Sequence, residues 1–139
     1  FSKFSLERLA PEKSLGMRFT TTYGNNAREK MLIPSILRND VPYINVDHSR
    51  DFIHVNDLCR AIIMLIDKNE YGVIDIGTGI SNKLTDIMEY CKLTYQGVMG
   101  SEIERKDNKA DITTLTKYGW KPEINLYQYL DKEIEKRIN

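Results

Sequence analysis

The chain has 139 residues, of which 41% are hydrophobic and 29% charged, with 20 Lys+Arg against 20 Asp+Glu and a formal net charge of zero. At that length roughly two thirds of the unfolded chain's surface can be buried, so a real core is expected. The charge balance argues against a nucleic-acid partner, which needs a concentrated positive surface, but leaves open a small anionic ligand, which needs only one or two local charges.

Residues 1–10 read as the tail of a helix, with Phe1, Phe4, Leu6 and Leu9 among charged residues and Pro11 ending it. The opening FSKFSLERLA begins mid-pattern and reads as a piece of a longer protein. Residues 15–22 read as a strand, and Tyr23-Gly24-Asn25-Asn26 as a turn. A helix is expected over 31–37, with Met31, Leu32, Ile36 and Ser35 inward, or beginning nearer Pro34. Residues 42–46 and 52–55 read as short strands.

Asn56 or Asp57 can cap the helix that follows. Residues 58–66 are apolar nearly all round, which predicts a helix buried between two layers. GVIDIG (72–77) is a near-continuous apolar strand, suited to a sheet covered on both faces. Residues 82–93 form the cleanest helix, with Leu84, Ile87, Met88 and Cys91 at i, i+3, i+4 and i+7. A strand is expected around 102–105, a short helix from Asp111 to Gly119, and a last helix opened by Asn125 and Gln128. Its stripe is Leu126, Tyr129, Leu130, Ile134 and Ile138. The sum is mixed α/β.

Cys59 and Cys91 read as buried thiols, and no Cys-x-x-Cys pair or Cys/His cluster suggests zinc or redox work. No apolar run is long enough to span a membrane and the start is not signal-like, so the cytoplasm is the expected location. Gly77-Thr78-Gly79 follows a strand but lacks the third glycine of a dinucleotide turn. His54 alternates with Phe52 and reads as a structural, hydrogen-bonded histidine. In SRDFIHVNDLCRAIIMLI (49–66), an arginine stands just ahead of a short strand that a very apolar helix follows at once, the pattern of an anion clamp.

Four stretches in order, MRFTTTYG (17–24), SRDFIHVNDLCRAI (49–62), GVIDIGTG (72–79) and ADITTLTKYGWKP (110–122), resemble the later half of the extended short-chain dehydrogenase/reductase family. These are the NAD-dependent nucleotide-sugar epimerases and dehydratases, and the resemblance covers essentially the whole chain. It implies an α/β fold: the C-terminal portion of an NAD(P)-binding Rossmann-like protein, mostly its substrate-binding subdomain. Residues 1–24 would be the remnant of the catalytic helix and a strand of the Rossmann-like domain. Residues 25–139 would be the nucleotide-sugar subdomain, with elements near 49–79 returning to the sheet.

The resemblance also implies roles. Lys3 matches the lysine of the family's Tyr-x-x-x-Lys pair, which holds the nicotinamide ribose and lowers the tyrosine's pKa. The tyrosine would lie two residues before Phe1, and the glycine-rich NAD site further upstream, so the chain alone is expected to be inactive. On its own pattern Lys3 also reads as a solvated helix lysine. Tyr23 matches the loop that touches cofactor and sugar, and Thr21 stands where the family often has asparagine. Arg50 would bind the diphosphate, the alternative being an ion pair with Asp47 or Asp51. Arg105 resembles a second phosphate arginine, on a connection to Ala110 that is shorter than usual. Arg28 reads equally as a second anion contact or a solvated charge, and Asp107 equally as a ribose ligand or a turn former. The implied protein is an NAD-dependent nucleotide-sugar 4-epimerase, homodimeric through the helix that carries Lys3. The alternatives are a 4,6-dehydratase of the same family, or a non-catalytic nucleotide-sugar-binding fragment.

Overall fold

The computed structural model describes residues 2–139. Helix α1 (Ser2–Leu9) stops ahead of Pro11, and Phe1 of its expected stripe lies outside the described residues. The strand expected over 15–22 is two strands, β1 (Leu15–Phe19) and β2 (Thr21–Tyr23), which change partner at Thr20. The Thr20 N–H donates to Ile76 O and the Thr21 N–H to Asp51 O. After α2 (Leu32–Leu37) come β3 (Tyr43–Asn45), β4 (Ser49–Arg50), β5 (Phe52–His54), α3 (Val55–Ile66) and β6 (Gly72–Ile76). The chain ends with β7 (Asn82–Lys83), α4 (Leu84–Tyr90), β8 (Gln96–Val98), α5 (Thr113–Lys117) and α6 (Leu126–Ile138). β1 pairs with β6, β2 with β5 and β3 with β8, all parallel, whereas β4 and β7 are antiparallel.

Two hydrophobic cores flank β5. Because successive side chains of a strand point to opposite faces, Phe52 enters one core with Tyr23, Ile33, Ile36, Ile44, Leu84, Ile87, Met88, Leu126 and Leu130. Ile53 enters the other, with Leu58, Ala61, Leu65, Ile76, Leu115 and Trp120. The stripe expected on α4 is therefore the one that packs, and α6 buries Leu126 and Leu130 while Ile138 is exposed.

Several local expectations change. The inward residues of α2 are Ile33 and Ile36, and Met31 is exposed. The helix starts at Leu32, with Pro34 in its first turn, where a missing N–H leaves no intrahelical bond unmade. The cap of α3 is His54, whose Nδ1 accepts from the Asn56 N–H at 3.1 Å, rather than Asn56 or Asp57. Asp57 is instead fully buried and accepts from the N–H groups of Glu123 and Ile124 and from Arg60, tying the approach to α6 onto α3. No strand forms at 102–105 among the described residues; β8 lies earlier and pairs with β3.

Helix α3 is covered on one face only. Leu58, Ala61 and Leu65 are buried, but Ile63 is 65% and Ile66 73% exposed, and Cys59 is exposed as well. The expectation of two covering layers, and of a buried Cys59 thiol, fails because the described residues supply one layer. Met17 and Phe19 of β1 are likewise exposed, and β1 has a strand partner on one edge only among the described residues. No helix among the described residues is long and apolar enough to cross a membrane.

The turn between β6 and β7 is held by Asp51. Its buried carboxylate accepts from Thr78 N–H at 2.9 Å, Thr78 Oγ1 at 2.6 Å, Gly79 N–H at 2.9 Å and Ala110 N–H at 3.1 Å. A Cβ at Gly77 would lie 2.7 Å from Asp51 Oδ2, 2.7 Å from Ala110 Cβ and 2.6 Å from Thr20 Cγ2, so glycine is required there for space. In Asp51→Asn one carboxylate oxygen becomes an amide NH2 facing backbone donors. This variant should lose about 2–4 kcal/mol of stability in urea unfolding, with unchanged m. Gly77→Ala should lose about 1–3 kcal/mol by overpacking.

Candidate functional site

Where β1 passes into β2, the chain borders a cleft of about 630 Å³. It is lined by Lys3 from α1, Phe19 and Thr20 at the strand break, Thr21 to Tyr23 of β2, Asn25 to Arg28 of the following loop, Met31, Val55 and Asn108. Four of the residues singled out in the sequence thus meet here: Lys3, Thr21, Tyr23 and Arg28. Lys3 and Arg28 are exposed at its rim. Tyr23 is 2% exposed, its ring packed edge-on against His54 at 5.2 Å and Tyr129 at 5.0 Å. Burial pushes its phenol well above the ordinary range, so Tyr23 is no acid or base near neutral pH. The loop beyond it turns through Gly24, at φ +128°, a conformation L side chains rarely adopt; a Cβ there would meet His54 Nε2 at 2.8 Å.

Arg50, Arg105 and Asp107 form a second group, on β4 and the loop that crosses it. Arg50 Nη1 donates to Ser49 O at 2.7 Å and Lys106 O at 3.0 Å, and Nη2 faces His48 Nδ1 at 3.1 Å. No ion pair to Asp47 or Asp51 forms among the described residues; Asp47 is paired to Lys106 at 3.0 Å instead. The Gly100 N–H and Lys106 hold the Asp47 carboxyl below the usual carboxylate range. Arg105 is exposed, with Nε donating to Asp107 O at 2.7 Å. The Asp107 carboxylate accepts from Ser81 Oγ at 2.8 Å and the Lys109 N–H at 3.0 Å, which is the turn-forming role.

Asn108 joins the two groups. Its Oδ1 accepts from the Asp51 N–H at 2.7 Å and its Nδ2 donates to Thr21 Oγ1 at 3.1 Å. The Thr21 hydroxyl is therefore engaged by an amide brought in from the 105–110 connection. Asn108, which lines the lysine cleft, thus also bonds the backbone of the residue that follows Arg50. The anchoring role of Asp51 was not foreseen; its signal is the juxtaposition of Asp51 in SRDF with the glycines of IGTG.

The family profile described as "NAD dependent epimerase/dehydratase family" matches residues 10–77. Among curated proteins, one of Methanocaldococcus jannaschii assigned as a UDP-glucose 4-epimerase is 28% identical over 135 residues, covering 85% of this chain and 43% of its own. Residues 10–77 are thus similar to the NAD dependent epimerase/dehydratase family. The CDP-abequose synthase of Salmonella muenchen is 23% identical, covering 94% of this chain and 50% of its own. The chain thus spans about half the length of the curated relatives it matches. Two solved structures carry the same fold. The Thermotoga maritima UDP-glucose 4-epimerase, with UDP-glucose, has a TM-score of 0.74 at 19% identity over 90% of this chain and 47% of its own. The NAD-dependent NDP-hexosamine 5,6-dehydratase of tunicamycin biosynthesis has 0.80 at 21% identity over 99% and 52%. The α/β fold is that of the extended short-chain dehydrogenase/reductase enzymes, over about half of each.

His54 couples this surface to pH. Burial lowers its pKa below 6.5, with Asp57 opposing. The unfolded chain therefore binds the extra proton first, and stability falls as pH drops below 6.5 toward the folded value. In His54→Asn the amide oxygen keeps an acceptor for the Asn56 N–H without titrating. Urea unfolding between about pH 7.5 and 5 should show a flatter pH dependence for this variant than for the parent chain.

Proposed function

We propose that the chain forms the nucleotide-sugar side, and part of the cofactor-facing wall, of an NAD-dependent nucleotide-sugar 4-epimerase. The observation that carries this reading is Arg50. Its guanidinium is fixed by two backbone carbonyls and an imidazole yet keeps N–H donors without protein acceptors among the described residues. It lies against the loop that presents Arg105, and through Asn108 that loop is bonded to the Lys3 cleft. A pre-set guanidinium fork suits a diphosphate, because little entropy is lost in orienting it. Arg105 would supply a second, exposed cation.

The cleft fits one end of a dinucleotide. It offers the Lys3 ammonium, and the buried Thr20 Oγ1 beside it has no hydrogen-bond partner. Bound NAD supplies the hydride acceptor for oxidation at the sugar's C4. Lys3 would hold a ribose hydroxyl and, by its charge, favour the ionised form of a neighbouring phenol. Arg50 and Arg105 would hold the diphosphate while the sugar turns over. Thr21, with its hydroxyl already accepting from Asn108, can donate its proton to the ligand. Arg28 at the rim would meet the ligand's outer face, and Tyr23 shapes the cleft by its packing.

The names of the relatives support a sugar nucleotide as ligand, and the 28% identical one is assigned to 4-epimerisation. The similarity to the 5,6-dehydratase, at a TM-score of 0.80, favours a dehydratase as the second reading. Incubation of the protein, with whatever upstream sequence its gene encodes, with UDP-glucose and NAD separates the two. A 4-epimerase yields the C4 epimer at unchanged mass, a dehydratase a product lighter by one water, and binding without turnover leaves a nucleotide-sugar-binding module. Arg50→Ala should weaken UDP-glucose binding about ten- to a hundredfold by calorimetry, the loss expected for charge-assisted bonds to phosphate.

A further inference from the structure

Arg50 owes its orientation to a neighbour. Of the five N–H donors of a guanidinium, three are engaged: two on Nη1 by Ser49 O and Lys106 O, and one on Nη2 by His48 Nδ1 at 3.1 Å. Nε and the second Nη2 donor have no acceptor among the described residues. Arginine cannot accept, so His48 Nδ1 must carry the lone pair and Nε2 the proton. Asn45 Nδ2, 3.3 Å from the same Nδ1, fits the same tautomer.

The imidazole is held firmly. It is 2% exposed, and the backbone of Gly100 lies so close that a Cβ there would be 2.1 Å from Nε2. Gly100 is itself tied down by its N–H donating to Asp47 Oδ1 at 2.9 Å. Nε2 makes no hydrogen bond among the described residues; the carboxylates of Asp47 at 4.0 Å and Glu104 at 3.9 Å are too far. All the specific bonding of this buried ring is on its Nδ1 side, where Arg50 and Asn45 stand.

We infer that His48 is the positioning residue for Arg50: its Nδ1 lone pair fixes the guanidinium so that Nε–H and the remaining Nη2–H are left to take two oxygens of a nucleoside diphosphate. Arg18 displays that pair of donors at work, its Nε and Nη2 gripping the two oxygens of Glu7 at 2.7 and 2.6 Å. Without the Nδ1 acceptor the guanidinium loses one of its three fixed points, and phosphate must order it on binding. The inference rests on the diphosphate role of Arg50 proposed above.

Two substitutions of similar polarity separate the ends of the ring. His48→Asn places an amide oxygen where Nδ1 stands; His48→Gln extends its amide toward Nε2 and leaves the Nδ1 position without an acceptor. UDP-glucose binding is measured by calorimetry on each, in the parent and in the Arg50→Ala background, with thermal unfolding as the control. His48→Asn should bind within about threefold of the parent and His48→Gln about tenfold more weakly, and the difference should vanish with Arg50→Ala. Equal affinities for the two variants, or a difference that persists in Arg50→Ala, would overturn the assignment. An Arg50→Ala variant that binds UDP-glucose as well as the parent would instead defeat the diphosphate reading itself. Should either His48 variant fail to fold, nitrogen NMR of His48 in the parent chain decides: a protonated Nε2 and bare Nδ1 are expected, and the opposite tautomer overturns the proposal.

Discussion

The arrangement depends on one buried carboxylate. Asp51 makes no ion pair among the described residues; its carboxylate is met by dipoles, the N–H groups of Thr78, Gly79 and Ala110 and the Thr78 hydroxyl. Such a group stabilises only while all its donors are in place, because a buried acceptor left unmet costs the full desolvation of the group. Three chain segments far apart in sequence are thereby forced to converge: the start of β5, the turn after β6 and the approach to α5. The neighbours of Asp51 on both sides then inherit fixed positions. Arg50 precedes it in β4, and Asn108 bonds its N–H while reaching across to Thr21.

Much of the fold was legible because periodicity is a direct record of burial. The 3.6-residue spacing in α4 and the alternation in β5 need no tertiary information. The expectation for α3 went wrong in an instructive way. An all-round apolar helix does ask for two covering layers, and among the described residues one is supplied, so Ile63 and Ile66 remain exposed. The two-residue ladder of β4 with β7 left no trace, since two residues cannot show a period. β8, QGV, has a single β-branched residue beside a glycine, too little to be read as a strand, and is held by its parallel neighbour β3.

For the site, residue type was legible and partnership was not. The motif around Arg50 pointed to an anion clamp, and the structure gathers Lys3, Thr21, Tyr23 and Arg28 around one cleft. Two of the three acceptors that orient Arg50 are backbone carbonyls, which no sequence pattern marks, and the third is the ring of His48, which belongs to no motif. Asp107 shows the converse: a residue well suited to a ribose, committed to a turn and to Ser81.

The division of Phe52 and Ile53 between two cores sets how this protein can vary in length. A one-residue insertion or deletion within β5 would turn Phe52 and Ile53 to the wrong faces and disturb both cores together, since strand faces alternate strictly. The segment crossing Arg50 is under the opposite rule. It is fastened at Gly100 to Asp47, and at Lys106 to Ser49 and Asp47, with exposed residues at 101–105 between the fastenings. Residues can be gained or lost there at small entropic cost. In lineages descended from this chain, gaps are expected to gather beside Arg105 and to be absent from β5, so that the reach of one exposed cation can be adjusted while the strand keeps its register.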